Sequence, residues 1–293
     1  MNQGEYKRSL KLPASEELLD LVFYRPAAFV LVKSIASLPI TPNQVTMASL
    51  AAGLAAAYAF GIGSRAGLTW GALFYLLANI LDCADGQLAR LQKSGTLLGR
   101  IVDGWADYIS GTAVFVGVGI GLESTGAGAW WLVVFAGLSS AVHAMFFDRH
   151  QSEFISSKAG EPDYIGREIG RFGAEIRRIR FMRGAAIRVQ LLRWYLAYLQ
   201  LQKRLASAKD RNGPRSAGIR ANSAPMLRLW SLLGPTTNRT LLIACALGGR
   251  IDVYLWAVAA AGNAWLLGVS LLQSRLRRTT DSAQGSASGG ETR

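Results

Sequence analysis

The chain has 293 residues, of which 51% are hydrophobic and 17% charged, and its formal net charge is +13. This is too apolar for an average soluble domain and leaves room for several spans, so a polytopic membrane protein is expected. The excess Lys and Arg lies mostly in the connections, where anionic headgroups rather than nucleic acid would meet it.

Residues 1–40 are read as an arm with an interfacial helix. The first twenty residues are polar and charged, without the apolar region of a cleaved signal peptide. Residues 1–13, with Lys7, Arg8 and Lys11, read as a flexible cytoplasmic start. From Ser15, the run Leu18, Leu19, Val22 and Phe23 has helical spacing, and Pro26 suits the first turn of a second helix over 27–38. Flanked by Arg25 and Lys33 and too short to span, that helix is expected to lie along the inner surface, with an ordinary packed helix as the alternative.

Residues 41–148 are expected to hold four spans. Thr41 and Pro42 form a helix start, with the hydroxyl as N-cap and the proline at the first helical position. The first span covers 45–60, and a Gly-rich turn at 61–67 leads to the second, 68–91. A short polar connection leads to the third, 97–121, and a Gly/Ser-rich turn to the fourth, 129–147. Cys83 and Cys245 both lie in apolar segments and imply no disulfide framework.

Residues 149–225 form a basic insertion. Ile176, Ile179, Ile187, Leu191, Tyr195, Tyr198 and Leu205 recur at helical spacing beside many arginines, which predicts one or two amphipathic helices on the inner leaflet. Residues 209–224 read as a mobile loop. The fifth span, 226–247, contains Pro235 as a predicted kink and a polar patch of Thr236, Thr237, Asn238 and Arg239. The sixth is 251–272, and the tail 273–293 reads as disordered. The fold class is therefore an all-α polytopic membrane bundle of six transmembrane helices, with N-terminal and inserted interfacial amphipathic helices. Lys and Arg concentrate in alternate connections, which places both termini and the 91–98 connection in the cytoplasm.

Four carboxylates lie inside the second and third spans. Asp82 and Asp85 are spaced i, i+3, and Asp103 and Asp107 are spaced i, i+4, so each pair points from one helix face. A carboxylate at membrane depth costs roughly 2.5 to 3.5 kcal/mol. Antiparallel neighbours joined by so short a connection can bring the pairs face to face. Crowded carboxylates need cations, and an oxygen-only donor set suits Mg²⁺ or Mn²⁺ better than zinc. All four acids are candidate metal ligands, and spacing alone does not say whether Asp103 or Asp107 would act as a base.

The stretch reads Asp82-x2-Asp85-Gly86-x2-Ala89-Arg90-x8-Gly99-x3-Asp103-x3-Asp107. It resembles the signature of the CDP-alcohol phosphatidyltransferase family at every fixed position, and the strong resemblance covers 41 to about 147. It implies transfer of a phosphatidyl-type group from a CDP-linked donor, by default CDP-diacylglycerol, to an alcohol acceptor with release of CMP. It further implies divalent metal, membrane lipid as substrate, a place in phospholipid synthesis at the cytoplasmic membrane, and a homodimer. The resemblance assigns the base to Asp107 and places Asn43, Thr46, Thr96 and Gly99 near the donor nucleotide. Thr41 to Thr46 could equally cap a helix, and Gly99 could start one. Gly86 and Ala89 open a groove for the nucleotide, or serve small-residue packing. Arg90 suits a diphosphate clamp, or snorkels to headgroups. Two alternatives remain: a lipid-hydroxyl acceptor served by a soluble CDP-alcohol, and a cation-coupled transporter whose acids line an ion path.

Overall fold

The computed structural model describes residues 3–10, 15–126, 128, 130–158, 164–180, 186–209 and 223–288, and no strand occurs among them. The chain divides into two compact units, 1–148 with 228–267, and 149–227 with 268–293.

The first unit opens with α1 (Gln3–Ser9), where an unstructured start was expected. Next comes a π-helical turn, Asp20–Tyr24, running directly into α2 (Arg25–Ile35). The sequence suggested a fresh helix at Pro26. Instead the backbone widens ahead of the proline, with the Arg25 N–H donating to the Asp20 carbonyl. The wider turn accommodates a ring that would otherwise collide with the carbonyl four residues back.

Helices α3 (Pro42–Gly61), α4 (Arg65–Leu91) and α5 (Leu97–Ser124) begin at Thr41, Ser64 and Thr96, whose hydroxyls accept from the N–H three residues on. At Thr41 the box is complete, since Gln44 Oε1 accepts from the Thr41 N–H at 2.8 Å. Each cap satisfies one of the first-turn donors that a helix leaves open.

Helix α3 packs closely along both α4 and α5, whereas α4 and α5 do not pack along each other. Small residues allow this. A Cβ on Gly53 would stand 1.9 Å from Ser110 Oγ, and one on Gly117 2.0 Å from the Ala57 carbonyl oxygen. Lipid gives packed helices no hydrophobic advantage, so close backbone approach replaces it. The core gathers Phe60, Ala72, Tyr75, Val114, Val118, Leu242, Tyr254 and Leu255. Tyr58, Trp70, Trp131, Leu138 and Leu267 instead stand more than half exposed, as a lipid-facing surface requires.

Helix α6 (Trp130–Lys158) outruns its predicted span. In the second unit, α7 (Tyr164–Ile179) and α8 (Ala186–Lys209) pack together, with Phe172 and Tyr195 rings 4.8 Å apart and Leu192 buried. Two helices stand there, where one or two amphipathic helices were expected. Most of the loop expected at 209–224 lies outside the described residues.

The predicted fifth span is not one kinked helix but two, α9 (Ala224–Ser231) and α10 (Pro235–Gly248). A proline drives its predecessor out of the helical region, and Gly234 is extended at φ −68°, ψ 156°. The 14 residues of α10 rise only about 21 Å. Helix α11 (Ile251–Trp256) continues through a π-helical segment, Ala257–Gly262, into α12 (Asn263–Ser288). Asn263 Nδ2 donates to the Ala259 carbonyl at 2.8 Å, competing with the regular ladder at that bulge. Helix runs through Ser288, where a disordered tail was expected from Gln273. The strong helix formers Gln273, Arg275, Leu276, Arg277 and Arg278 carry it past the apolar stretch. Five helices among the described residues are long and apolar enough to cross a membrane, within Pro42–Gly61, Arg65–Leu91, Leu97–Ser124, Trp130–Ile155 and Ile251–Leu276.

Candidate functional site

The acids stand where α4 and α5 face each other without packing. One carboxylate oxygen from each of Asp82, Asp85 and Asp103 lies within 4.8 Å of the others. Two such charges repel by about 3.5 kcal/mol at an effective dielectric of about 20. Asp85 is buried and accepts from Thr46 Oγ1 at 2.5 Å, so α3 orients the innermost carboxylate.

Asp107 is held differently. Arg239 Nη2 on α10 donates to its Oδ1 at 2.7 Å, while Nη1 donates to Asn79 Oδ1 at 3.0 Å and lies 3.6 Å from Asp82 Oδ2. Arg239, and more weakly Arg25, act on these carboxylates, and the four acids leave an excess of negative charge among apolar helices. That excess, and a donor set made only of carboxylate oxygens, fits a hard divalent cation on Asp82, Asp85 and Asp103.

The candidate nucleotide positions fall into two groups. Asn43 on the first turn of α3 sits beside Gly99 in the first turn of α5, which Thr96 caps, while Thr46 one turn further along α3 turns to Asp85. A Cβ on Gly99 would lie 3.2 Å from Asn43 Oδ1. Arg90 folds back over Gly86, where a Cβ would lie 3.3 Å from its Nη1, and its Nε donates to the Ser9 carbonyl at 2.5 Å. Its Nη2 is buried with no hydrogen-bond partner among the described residues, which leaves one donor in reserve. Ala89 is half-buried one turn along.

Sequence reasoning named Arg239 only as part of a polar patch and Arg25 only as a flanking charge. Arg25 is in fact buried, with its Nε donating to Glu16 Oε2 at 2.8 Å and its backbone carbonyl accepting from Gln87 Nε2 at 2.9 Å. Glu17 accepts from the Thr236 N–H at 3.0 Å and from the Thr237 N–H and hydroxyl at 2.8 Å each. Burial, reinforced by the Asp20 charge, pushes its carboxyl up to about 7 against the pull of those donors. A charged residue inside an apolar stretch is the signal that marks Arg239. The other polar residues of the spans bridge helices: Asn238 Nδ2 donates to Ser140 Oγ at 2.9 Å, Tyr254 Oη to Asn238 Oδ1 at 2.6 Å, and Asn263 Nδ2 to Ser139 Oγ at 2.9 Å.

Fold and site together define an all-helical integral membrane protein with an acidic centre shared by two of its helices. The chain belongs to the CDP-alcohol phosphatidyltransferase family, whose sequence model matches residues 39–199, more than half of its length. It is 35% identical over 112 residues to a phosphatidylinositol phosphate synthase of Corynebacterium glutamicum, covering 38% of this chain and 44% of that one. A protein of the same description from Mycolicibacterium smegmatis is 34% identical over 93 residues, 31% of this chain and 36% of that one. An archaetidylinositol phosphate synthase of Pyrococcus horikoshii is 30% identical over 89 residues, 30% and 46% of the respective chains. The chain thus spans less than half the length of each of these curated relatives.

Proposed function

We propose that this protein transfers the phosphatidyl group of CDP-diacylglycerol to the hydroxyl of an inositol phosphate and releases CMP. The observation that carries the reading is the meeting of Asp82, Asp85 and Asp103 within 4.8 Å, beside an Asp107 bound by Arg239. The three named relatives, all synthases of inositol phosphate lipids, favour that acceptor.

In this reading Asp82, Asp85 and Asp103 hold Mg²⁺ or Mn²⁺, which when bound offsets negative charge on the diphosphate. Thr46 keeps Asp85 turned inward. Arg90 Nη2, the buried donor in reserve, offers a hydrogen bond to a diphosphate oxygen. Arg239 engages one oxygen of Asp107 and leaves Oδ2 to accept the proton of the incoming hydroxyl. The hydroxyl oxygen bonds to the phosphorus that carries the lipid, the bond from that phosphorus to the bridging oxygen breaks, and CMP departs with the electron pair. A phosphate leaving group needs no general acid, so positioning and electrostatics carry the step. The bias of Lys and Arg toward the connection between α4 and α5 supports a cytoplasmic site.

The test is CMP release by the purified protein given CDP-diacylglycerol, Mg²⁺ and, in parallel, inositol phosphate, serine and glycerol 3-phosphate. Release with inositol phosphate that Asp82→Ala and Asp107→Ala abolish is expected. Release with serine or glycerol 3-phosphate alone would overturn the acceptor, and release unaffected by either variant would overturn the site.

A further inference from the structure

Helix α10, which delivers Arg239, cannot cap itself. Gly234 has no side chain at the cap position and Pro235 has no N–H, so the first open donors are those of Thr236 and Thr237. Both are taken by one carboxylate from the opposite end of the chain. Glu17 Oε1 accepts from the Thr236 N–H at 3.0 Å and Oε2 from the Thr237 N–H at 2.8 Å. The group lies flush against Gly234, where a Cβ would stand 2.2 Å from its Cδ, and Glu17 is only 2% exposed. Two oxygens on successive N–H groups fix the rotation of a helix about its axis as well as its height.

The contact continues along the same face of the arm. Asp20 Oδ1 accepts from Thr236 Oγ1 at 3.0 Å, and the hydroxyls of Tyr24 and Thr240 are 2.8 Å apart. Arg239 follows Thr236 by three residues, less than one turn, so a shift of the first turn carries the guanidinium with it.

We infer that Glu17 is a positioning residue for the transfer: by capping α10 it sets where Arg239 stands between Asp107 and Asp82, so the N-terminal arm and the acidic centre form one mechanical unit. The turnover half of this inference rests on the proposed reaction; the geometric half does not.

A double-mutant cycle between Glu17→Ala and Arg239→Ala, on the full-length protein in detergent, tests both halves. Asp20 and Tyr24 keep the arm docked in Glu17→Ala, and hydrogen exchange at the 236–240 amides is expected to rise about tenfold. The first readout needs no turnover: Mn²⁺ affinity followed by electron paramagnetic resonance. Arg239→Ala removes a cation beside Asp82 and is expected to tighten Mn²⁺ about tenfold, Glu17→Ala about threefold, and the pair no more than Arg239→Ala alone. The second is CMP release, where Glu17→Ala is expected to lower kcat about tenfold with the donor KM within about twofold. Added to Arg239→Ala it should lower kcat no further, and Glu17→Gln, which keeps one acceptor, should return to within about threefold of wild type. Unchanged exchange or Mn²⁺ affinity in Glu17→Ala, or losses that multiply in the double variant, would overturn the inference. Absence of CMP release from the wild type would overturn the proposed function alone, with the Mn²⁺ cycle still readable.

Discussion

The bond from Thr46 to Asp85 offers a near-isosteric test of the acidic centre. Thr46→Val removes one oxygen from a buried position, 4% exposed, and changes the volume little, while Asp85 loses the donor 2.5 Å away. A hydrogen bond to a charged group contributes about 1.5 to 3 kcal/mol, or roughly 10- to 150-fold in an equilibrium constant. The loss should appear as weaker Mn²⁺ binding, because the orientation of the carboxylate is what the hydroxyl secures. The methyl effect is separated by Thr46→Ser, which keeps the donor, loses the methyl and should stay within about threefold of wild type. The assay is Mn²⁺ titration by electron paramagnetic resonance, followed by CMP release at saturating Mg²⁺. Equal Mn²⁺ affinity in the Val and Ser variants would refute the reasoning, since it would mean that Thr46 merely packs, satisfied by the Pro42 carbonyl 3.1 Å away.

Three further outcomes follow from the packing and the charges. Gly117→Ala sets a Cβ 2.0 Å from the Ala57 carbonyl oxygen, a backbone atom that cannot turn aside, and should cost about 1 to 3 kcal/mol or more in detergent unfolding; Gly104→Ala, with nothing within 4 Å, is the control. Arg25→Met leaves Glu16 buried without its guanidinium, and should destabilise by about 3 to 5 kcal/mol, most of which Glu16→Gln in the same chain restores. Glu17, raised from 4.5 to about 7 on folding, takes up its proton more readily in the native state. Below pH 4.5 both states are protonated and nothing is lost; stability then falls as pH rises toward 7, by about 3 kcal/mol in all. Thermal unfolding of wild type and Glu17→Gln from pH 4.5 to 8 should show that slope in the wild type alone, and parallel profiles would exclude it.

Local rules explain what could be read from the chain. The hydroxyl cap and the proline at the start of α3 and the apolar stretches of α3 to α6 depend on residues within one or two turns of each other. So does the spacing that sets Asp82 and Asp85 on one face and Asp103 and Asp107 on another. Where a short-range rule had two solutions, the reading failed. Pro26 was compatible with a new helix or a widened turn in a continuing one, and Pro235 with a kink or a break. The choice fell to the neighbours: Tyr24, Ala28 and Val32 pack with Val45, Cys83 and Leu88 in one buried cluster, and Gly234 leaves room for the carboxylate of Glu17.

By itself the sequence determined the helical membrane class, the acidic motif and the oxygen-only chemistry of its centre, because periodicity, capping and the cost of charge in lipid are local. Only the tertiary structure decided that three of the acids gather while the fourth is held by Arg239, that α3 keeps α4 and α5 from closing on each other, and that Glu17 caps a helix more than 200 residues away. Those choices depend on which face each helix turns inward. That is settled by ion pairs and small-residue contacts between segments far apart in the chain, for which no spacing rule exists.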